Sequence, residues 1–203
     1  RQMCIRDRYK SQKSVAGVDE VGRGSLIGPV YAAAVVFKKG FDKKRVKDSK
    51  KLSPKEREFL ENYIKKNSYW AIGTASKEEI EKINILNASL LAMKRSILKL
   101  KFKPKIVKVD GNKKPNINNL NIKSVVRGDQ KIPEISAASI LAKVSRDRLI
   151  KKMSKKFKAY LWDKNVGYGT RDHLSAIKKF GITKHHRKTF KPIHNILLSL
   201  IHI

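Results

Sequence analysis

Most of the 17 acidic residues in this 203-residue chain sit where carboxylates do no chemistry. Glu56, Glu58, Glu61, Glu78, Glu79 and Glu81 fall in the first turns of stretches patterned as helices, where the helix dipole favours negative charge. Asp42 and Asp48 stand among lysines in a polar loop. Four acids are placed differently. Asp19 and Glu20 are adjacent at the end of the short apolar run "VAGVD", and Gly22-Arg23-Gly24 follows at once. Asp110 closes a second apolar run and precedes Gly111. Asp147 lies in a stretch rich in small residues, on the helical face it shares with Ile140, Lys143 and Val144.

Carboxylates gathered within a few ångströms cannot all ionise without a counter-charge. A divalent cation supplies one, and an all-oxygen donor set favours Mg²⁺ or Mn²⁺ over zinc. Two such ions roughly 3.5–4 Å apart clamp the attacking and leaving oxygens of an in-line phosphoryl displacement. Each acid also fits a simpler role. An Asp at a strand end is a common turn former, and Asp110-Gly111 is an ordinary turn dipeptide. Asp147, between Arg146 and Arg148, also reads as a solvated helix charge. Spacing alone leaves both readings open.

The elements that must position these residues alternate. "VAGVD" and "PVYAAAVVF" read as strands, the second apolar enough to be buried on both faces. Ser53, Pro54 and Glu56 form a capping-box start for a helix. Tyr69 to Ala75 reads as a strand. Ser76 and Glu79 then open one long amphipathic helix or two, with Ile80, Ile83, Leu90, Met93 and Ile97 at helical spacing. "KPKIVKVDGN" is a strand with Asp110 at its carboxyl end, and "IKSVVRGD" reads as another. A helix from "ISAASIL" carries Asp147, "WDKNVGYGT" is a loop, and "RDHLSAIKKFG" is a helix ended by Gly181. The tail "NILLSLIHI" adds a last helix. The pattern is α/β around a mixed sheet, and ligands bind such sheets at their strand ends.

The 48 Lys and Arg outnumber the acids to give a net charge of +31. Such an excess points to a polyanion, nucleic acid first, because neutralising phosphates releases counterions. An anionic membrane surface comes second, and AT-rich coding also enriches Lys, Ile and Asn. The single Cys4 excludes an internal disulfide and a Cys-based zinc site, and fits a reducing cytoplasm. No apolar run reaches the ~20 residues that span a bilayer. The opening "RQMCIRDR" has neither a signal-peptide core nor an initiator Met. Residues 1–14 therefore read as a non-native or unstructured end, and 15–203 as one domain. His173 reads as a structural loop-orienting residue, His185 and His186 as part of a basic surface, and Lys50 and Lys51 as backbone contacts or solvated charge.

The ordered blocks "GVDEVGRGSLIGPV", "DSKKLS", "INILNASLLAMKRSI", "VDG", "ISAASILAKVSRDR", "GYGT" and "HRKTFKP" resemble ribonuclease HII from about Val15 to Pro192. The resemblance implies a ribonuclease H-like fold, a mixed five-stranded sheet flanked by helices, with a small helical C-terminal part. It implies an endonuclease that cuts the RNA strand of RNA–DNA hybrids. Single ribonucleotides in duplex DNA are also nicked, on the 5′ side, leaving 3′-hydroxyl and 5′-phosphate ends. The family's four metal-holding acids map onto Asp19, Glu20, Asp110 and Asp147, with Mg²⁺ or Mn²⁺ as cofactor. Gly22, Arg23 and Gly24 match the turn that reads the 2′-hydroxyl, and Tyr168 matches the tyrosine that stacks on the neighbouring sugar. Ser139 and Lys143, one turn apart, are candidates to meet a phosphate. Ser25 and Ile27 stand where the family often has Pro and Ala. The expected partners are hybrid and ribonucleotide-containing duplexes, with no membrane, for a monomer whose sequence does not decide a sliding-clamp contact. Ribonuclease HIII, with an added N-terminal domain, is the rival within the fold. A non-catalytic RNA-binding or ribosome-associated protein is the rival outside it.

Overall fold

The computed structural model describes residues 14–46 and 52–201. The readings made of residues 1–13, and of Asp48, Lys50 and Lys51, fall outside them. Strands β1 (Val15–Val21), β2 (Val30–Phe37), β3 (Ser68–Ala75), β4 (Ile106–Asp110) and β5 (Asn121–Val125) form one sheet in the order β3-β2-β1-β4-β5. β1 pairs antiparallel with β2 and β2 with β3, whereas β1–β4 and β4–β5 are parallel. The sheet is mixed, as the alternation predicts.

Helices cover both faces. In chain order they are α1 (Pro54–Asn67), α2 (Lys77–Leu98), the short α3 (Gly128–Lys131), α4 (Pro133–Ser154), the short α5 (Trp162–Asn165), α6 (Arg171–Phe180) and α7 (Lys191–Ile201). β2 is apolar throughout because it is buried twice. Ala32 and Ala34 pack with Ala88 and Ala92 of α2, while Ala33 and Val35 pack with Ala137, Ala138 and Leu141 of α4. Glycine brings each helix close. A Cβ on Gly17 would stand 2.1 Å from the Glu134 carbonyl carbon, and one on Gly73 2.1 Å from the Ala92 oxygen.

Both expected capping boxes are present, at Ser53/Glu56 and Ser76/Glu79. The "one helix or two" is two segments joined at Asn84, whose φ of 65° breaks the helical path. Asn84 Oδ1 accepts from the Asn87 amide at 3.1 Å and so caps the second segment. The C-terminal part shares a core with the rest. Trp162, Ile177 and Ile193 are fully buried with Leu26, Ile27 and Ile150, and Ile196 and Leu197 pack against them, so the start of the apolar tail docks.

Three readings need correction. The strand expected through "IKSVVRGD" ends at Val125; the chain enters the left-handed region at Arg127 (φ 54°) and turns into α3. "WDKNVGYGT" begins as α5 before the glycine turn. His186 is fully buried, not part of a basic surface. Charge-rich neighbours in sequence masked an inward-facing residue.

Candidate active site

Register decides which acids meet. Val18 lies opposite Val109 on parallel β1 and β4. One residue on, Asp19 and Asp110 stand level at the carboxyl ends of adjacent strands. Alternation turns Val18 and Val109 into the core under α2 and Asp19 and Asp110 toward α4. Asp19 is buried, accepts the Glu20 amide at 2.7 Å and takes a hydrogen bond from Ser139. Asp110 Oδ1 accepts the Gly128 amide at 2.6 Å. Glu20 Oε1 accepts from Arg23 Nη1 at 3.1 Å, while its Oε2 is buried without a hydrogen-bond partner among the described residues.

These three carboxylates act on one another. Burial holds the Asp19 carboxyl well above its ordinary range, and the charges of Glu20 and Asp110 add to it; Ser139 and the Glu20 amide oppose it. Burial likewise raises Glu20, against the hydrogen bond and charge of Arg23, with Asp110 adding to the rise. Acids this crowded, with one orphaned buried oxygen, form a donor set that fits a hard divalent cation. As the side chains stand, no three metal-ligating groups among the described residues close around a single point.

Asp147 does not join them. It lies eight residues beyond Ser139 on α4, about 12 Å along the axis. It pairs with Lys143, Nζ to Oδ2 2.9 Å, and lines a shallow cleft with Pro54, Arg57 and Glu58 beside α1. Ser139 and Lys143 thus both turn to carboxylates. The acid the sequence reading passed over is Asp129. It is buried in α3, directly after the Gly128 whose amide holds Asp110. Running a strand through to residue 129 hid it. The signal was Gly128 followed by an Asp just before Pro133, a turn rather than a strand ending.

The sugar-reading candidates do converge. Gly22 is buried with φ 89°, and a Cβ there would collide with Arg146 Nε at 2.2 Å, so glycine is required twice over. Arg23 and Gly24 are exposed. Tyr168, 144 positions from Gly24, bridges to Ser25, and its ring edge lies 3.7 Å from where a Gly24 Cβ would be. The Leu26 amide donates to Gly167 O at 2.8 Å, and Ser25 Oγ to the same oxygen at 3.0 Å.

Arg146, to which the sequence assigned no role, is fully buried beneath this unit. Its Nη2 donates to Ser25 Oγ (2.6 Å) and Ile27 O (3.3 Å), its Nη1 to Val166 O (3.1 Å), and its guanidinium stands 5.8 Å from the Tyr168 ring centre. His173 orients the same loop, as the sequence reading expected. Its Nε2 accepts from Trp162 Nε1 at 2.9 Å, which leaves Nδ1 as the donor to Tyr168 O at 2.9 Å. His186 backs His173 at 3.3 Å and takes the Thr183 amide on its Nδ1 at 2.8 Å.

Known proteins resemble this chain over most of its length. The family model described as ribonuclease HII matches residues 16–193. A ribonuclease HII of Pelagibacter ubique is 68% identical over 185 residues, 91% of this chain and 100% of the relative. The crystal structure of ribonuclease H2 from Pyrococcus horikoshii superposes with a TM-score of 0.78 at 26% identity, covering 94% of this chain and 100% of that one. Ribonuclease HII of Archaeoglobus fulgidus, solved in complex with PCNA, has a TM-score of 0.68 at 27% identity, covering 90% and 96%. The match runs from the first strand to the C-terminal helix and takes in the carboxylates, the Gly22–Gly24 turn and the Tyr168 loop: the chain belongs to the ribonuclease HII family.

Proposed function

We propose that the protein is an endoribonuclease that hydrolyses the RNA strand of RNA–DNA hybrids and nicks duplex DNA 5′ of single ribonucleotides, leaving 3′-hydroxyl and 5′-phosphate ends. One observation carries the reading. The crowded acids Asp19 and Glu20 run directly into the turn that packs against Tyr168, so cutting and sugar recognition share residues 19–24.

In this reading Asp19, Glu20 and Asp110 hold Mg²⁺ or Mn²⁺, and the buried Asp129 is better placed than the Lys143-paired Asp147 to complete the set. The bound ions supply Lewis acidity at the phosphate and lower the pKa of water. The chain's own residues do the rest. Gly22 and Gly24 let the backbone approach a ribose, and the 2′-hydroxyl separates RNA from DNA. The Tyr168 ring offers a face to the neighbouring sugar. Arg23, tied to Glu20 at 3.1 Å, links the reading turn to the acids. Ser139 steadies Asp19. The surface lysines and arginines carry the duplex backbone.

Among the described residues no helix is long and apolar enough to cross a membrane. The PCNA complex of the Archaeoglobus relative makes a sliding clamp a reasonable partner to test. The function is tested by incubating the pure protein with a DNA duplex holding one ribonucleotide, with and without Mg²⁺ or Mn²⁺. A metal-dependent nick on the 5′ side supports the reading. Binding without a nick supports the non-catalytic RNA-binding alternative that the charge alone favours.

A further inference from the structure

Arg187 has no role in the chemistry above, yet it is a fully buried cation. It sits in the segment between α6 and α7, 164 positions from the reading turn. The segment pairs with the turn's descending arm: the Arg187 amide donates to Leu26 O at 2.8 Å, the Gly28 amide to His185 O at 3.0 Å, and Ile27 bridges His186. From this anchorage the guanidinium reaches both ends of the turn. Nε donates to Gly28 O at 2.9 Å and Nη1 to Arg23 O at 3.0 Å. Its guanidinium carbon stands 5.0 Å from the Phe190 ring centre.

A plain structural clamp does not need this residue. Among the described residues no carboxylate forms an ion pair with Arg187, and its Nη2 is buried without an acceptor. A second buried cation, Arg146, is near enough to add its charge, and burial with that charge depresses Arg187 to about 9. Burying an unpaired charge is costly, and a neutral side chain would avoid the cost. What a guanidinium adds is rigid, simultaneous reach to two carbonyls.

The Arg23 carbonyl sets the direction of the next amide. The peptide bond between Arg23 and Gly24 is trans, so its C=O and N–H point in opposite directions. With the carbonyl held inward by Nη1, the Gly24 N–H faces outward beside the Tyr168 ring. Among the described residues that amide has no hydrogen-bond acceptor, and Gly24 is exposed.

We propose that Arg187 is a positioning residue for ribose recognition: by holding the Arg23 carbonyl inward it aims the Gly24 amide at the sugar of the nucleic acid. This rests on the ribonucleotide-cleaving reading above. Arg187 touches no substrate, so its effect falls on the orientation of a donor and not on duplex binding.

The test compares wild type, Arg187→Gln and Arg187→Lys on a DNA duplex with one ribonucleotide, with an all-DNA duplex of the same length as the binding control. Arg187→Gln is expected to lower kcat at the ribonucleotide by about tenfold or more, with KM within about twofold. Affinity for the all-DNA duplex stays at the wild-type value, and Arg187→Lys, which reaches one carbonyl but not both, recovers part of the rate. Melting followed by circular dichroism establishes that each variant folds. Should Arg187→Gln not fold, the Arg187→Lys comparison carries the test. Unchanged kcat, or a parallel loss of all-DNA binding, overturns the inference. A wild-type protein that makes no nick at the ribonucleotide overturns the functional reading instead, so the two failures are told apart.

Discussion

Placing a methyl group on Gly17 should push the two halves of the site apart. The added Cβ would lie 2.1 Å from Glu134 C, 2.3 Å from Ile135 N and 2.4 Å from Glu134 O. All three are backbone atoms of α4, so no side chain can swing away. The helix must withdraw by more than an ångström or the strand must bend. Overpacking of this kind costs about 1–3 kcal/mol, offset by about 0.4–1 kcal/mol from a stiffer unfolded chain. At about 2–4 °C per kcal/mol for a chain of this size, melting should fall by several degrees. Gly73→Ala is the matched control, because its Cβ would meet Ala92 O at 2.1 Å and Ser96 N at 2.4 Å on the opposite helix. The two substitutions should cost similar stability. They should differ in activity. α4 carries Ser139 against Asp19 and Arg146 beneath Gly22, whereas α2 carries no site residue. A misplacement of about 1 Å in a catalytic constellation costs about 100-fold. Urea or thermal melts alongside cleavage of a ribonucleotide-containing duplex well below the melting point measure both effects. Equal activity losses in the two variants, or a Gly17→Ala protein with wild-type activity, would refute the argument that α4 aligns the site.

Other outcomes follow from individual contacts. Asp129→Asn should reduce metal-dependent cleavage by about 100-fold or more, while Asp147→Asn, which breaks only the Lys143 pair, should cost less than about tenfold; the reverse order would return Asp147 to the metal set. His186 is held neutral, its pKa lowered from 6.5 to about 4 by burial first and by His173 second. An unfolded His takes up a proton before the folded one does, so this residue's contribution is intact above about pH 6.5 and declines as pH falls toward 4, by at most about 3 kcal/mol. The difference in melting temperature between wild type and His186→Gln should therefore shrink between pH 7 and pH 4.5. Binding to a hybrid should weaken steeply and linearly in log–log form with salt, as phosphate neutralisation requires; a flat salt response would mean that the basic surface does not carry the duplex.

The sequence revealed most where local chemistry and burial agree. Ser53/Glu56 and Ser76/Glu79 announced their helices because capping is settled within four residues. The unbroken apolar run of β2 announced a strand covered on both faces, and it is. Asp19 and Glu20 stood out because two carboxylates at a strand end are costly without a reason. What stayed hidden depended on register and long-range contact. The spacing that aligned Asp147 with an apolar helical stripe was correct, but helical rise carries it about 12 Å past Ser139. Asp129 was concealed by a strand boundary, which a positive φ at Arg127 sets and composition does not. His186 read as basic surface, and nothing local marks Arg146 or Arg187 as inward-facing, yet all three are fully buried. Their burial comes from packing the C-terminal part onto Leu26–Gly28, a contact made across most of the chain.

In the proposed function Asp110 acts through the metal set and not through the fold. Asp110→Asn keeps the side chain's size and its carbonyl acceptor for the Gly128 amide, now 2.6 Å away. Cleavage of a ribonucleotide-containing duplex in Mg²⁺ or Mn²⁺, measured beside hybrid affinity and melting temperature, tests it directly. Wild-type binding and melting are expected, with cleavage lower by about 1,000-fold or more. Cleavage within a few-fold of wild type would contradict it.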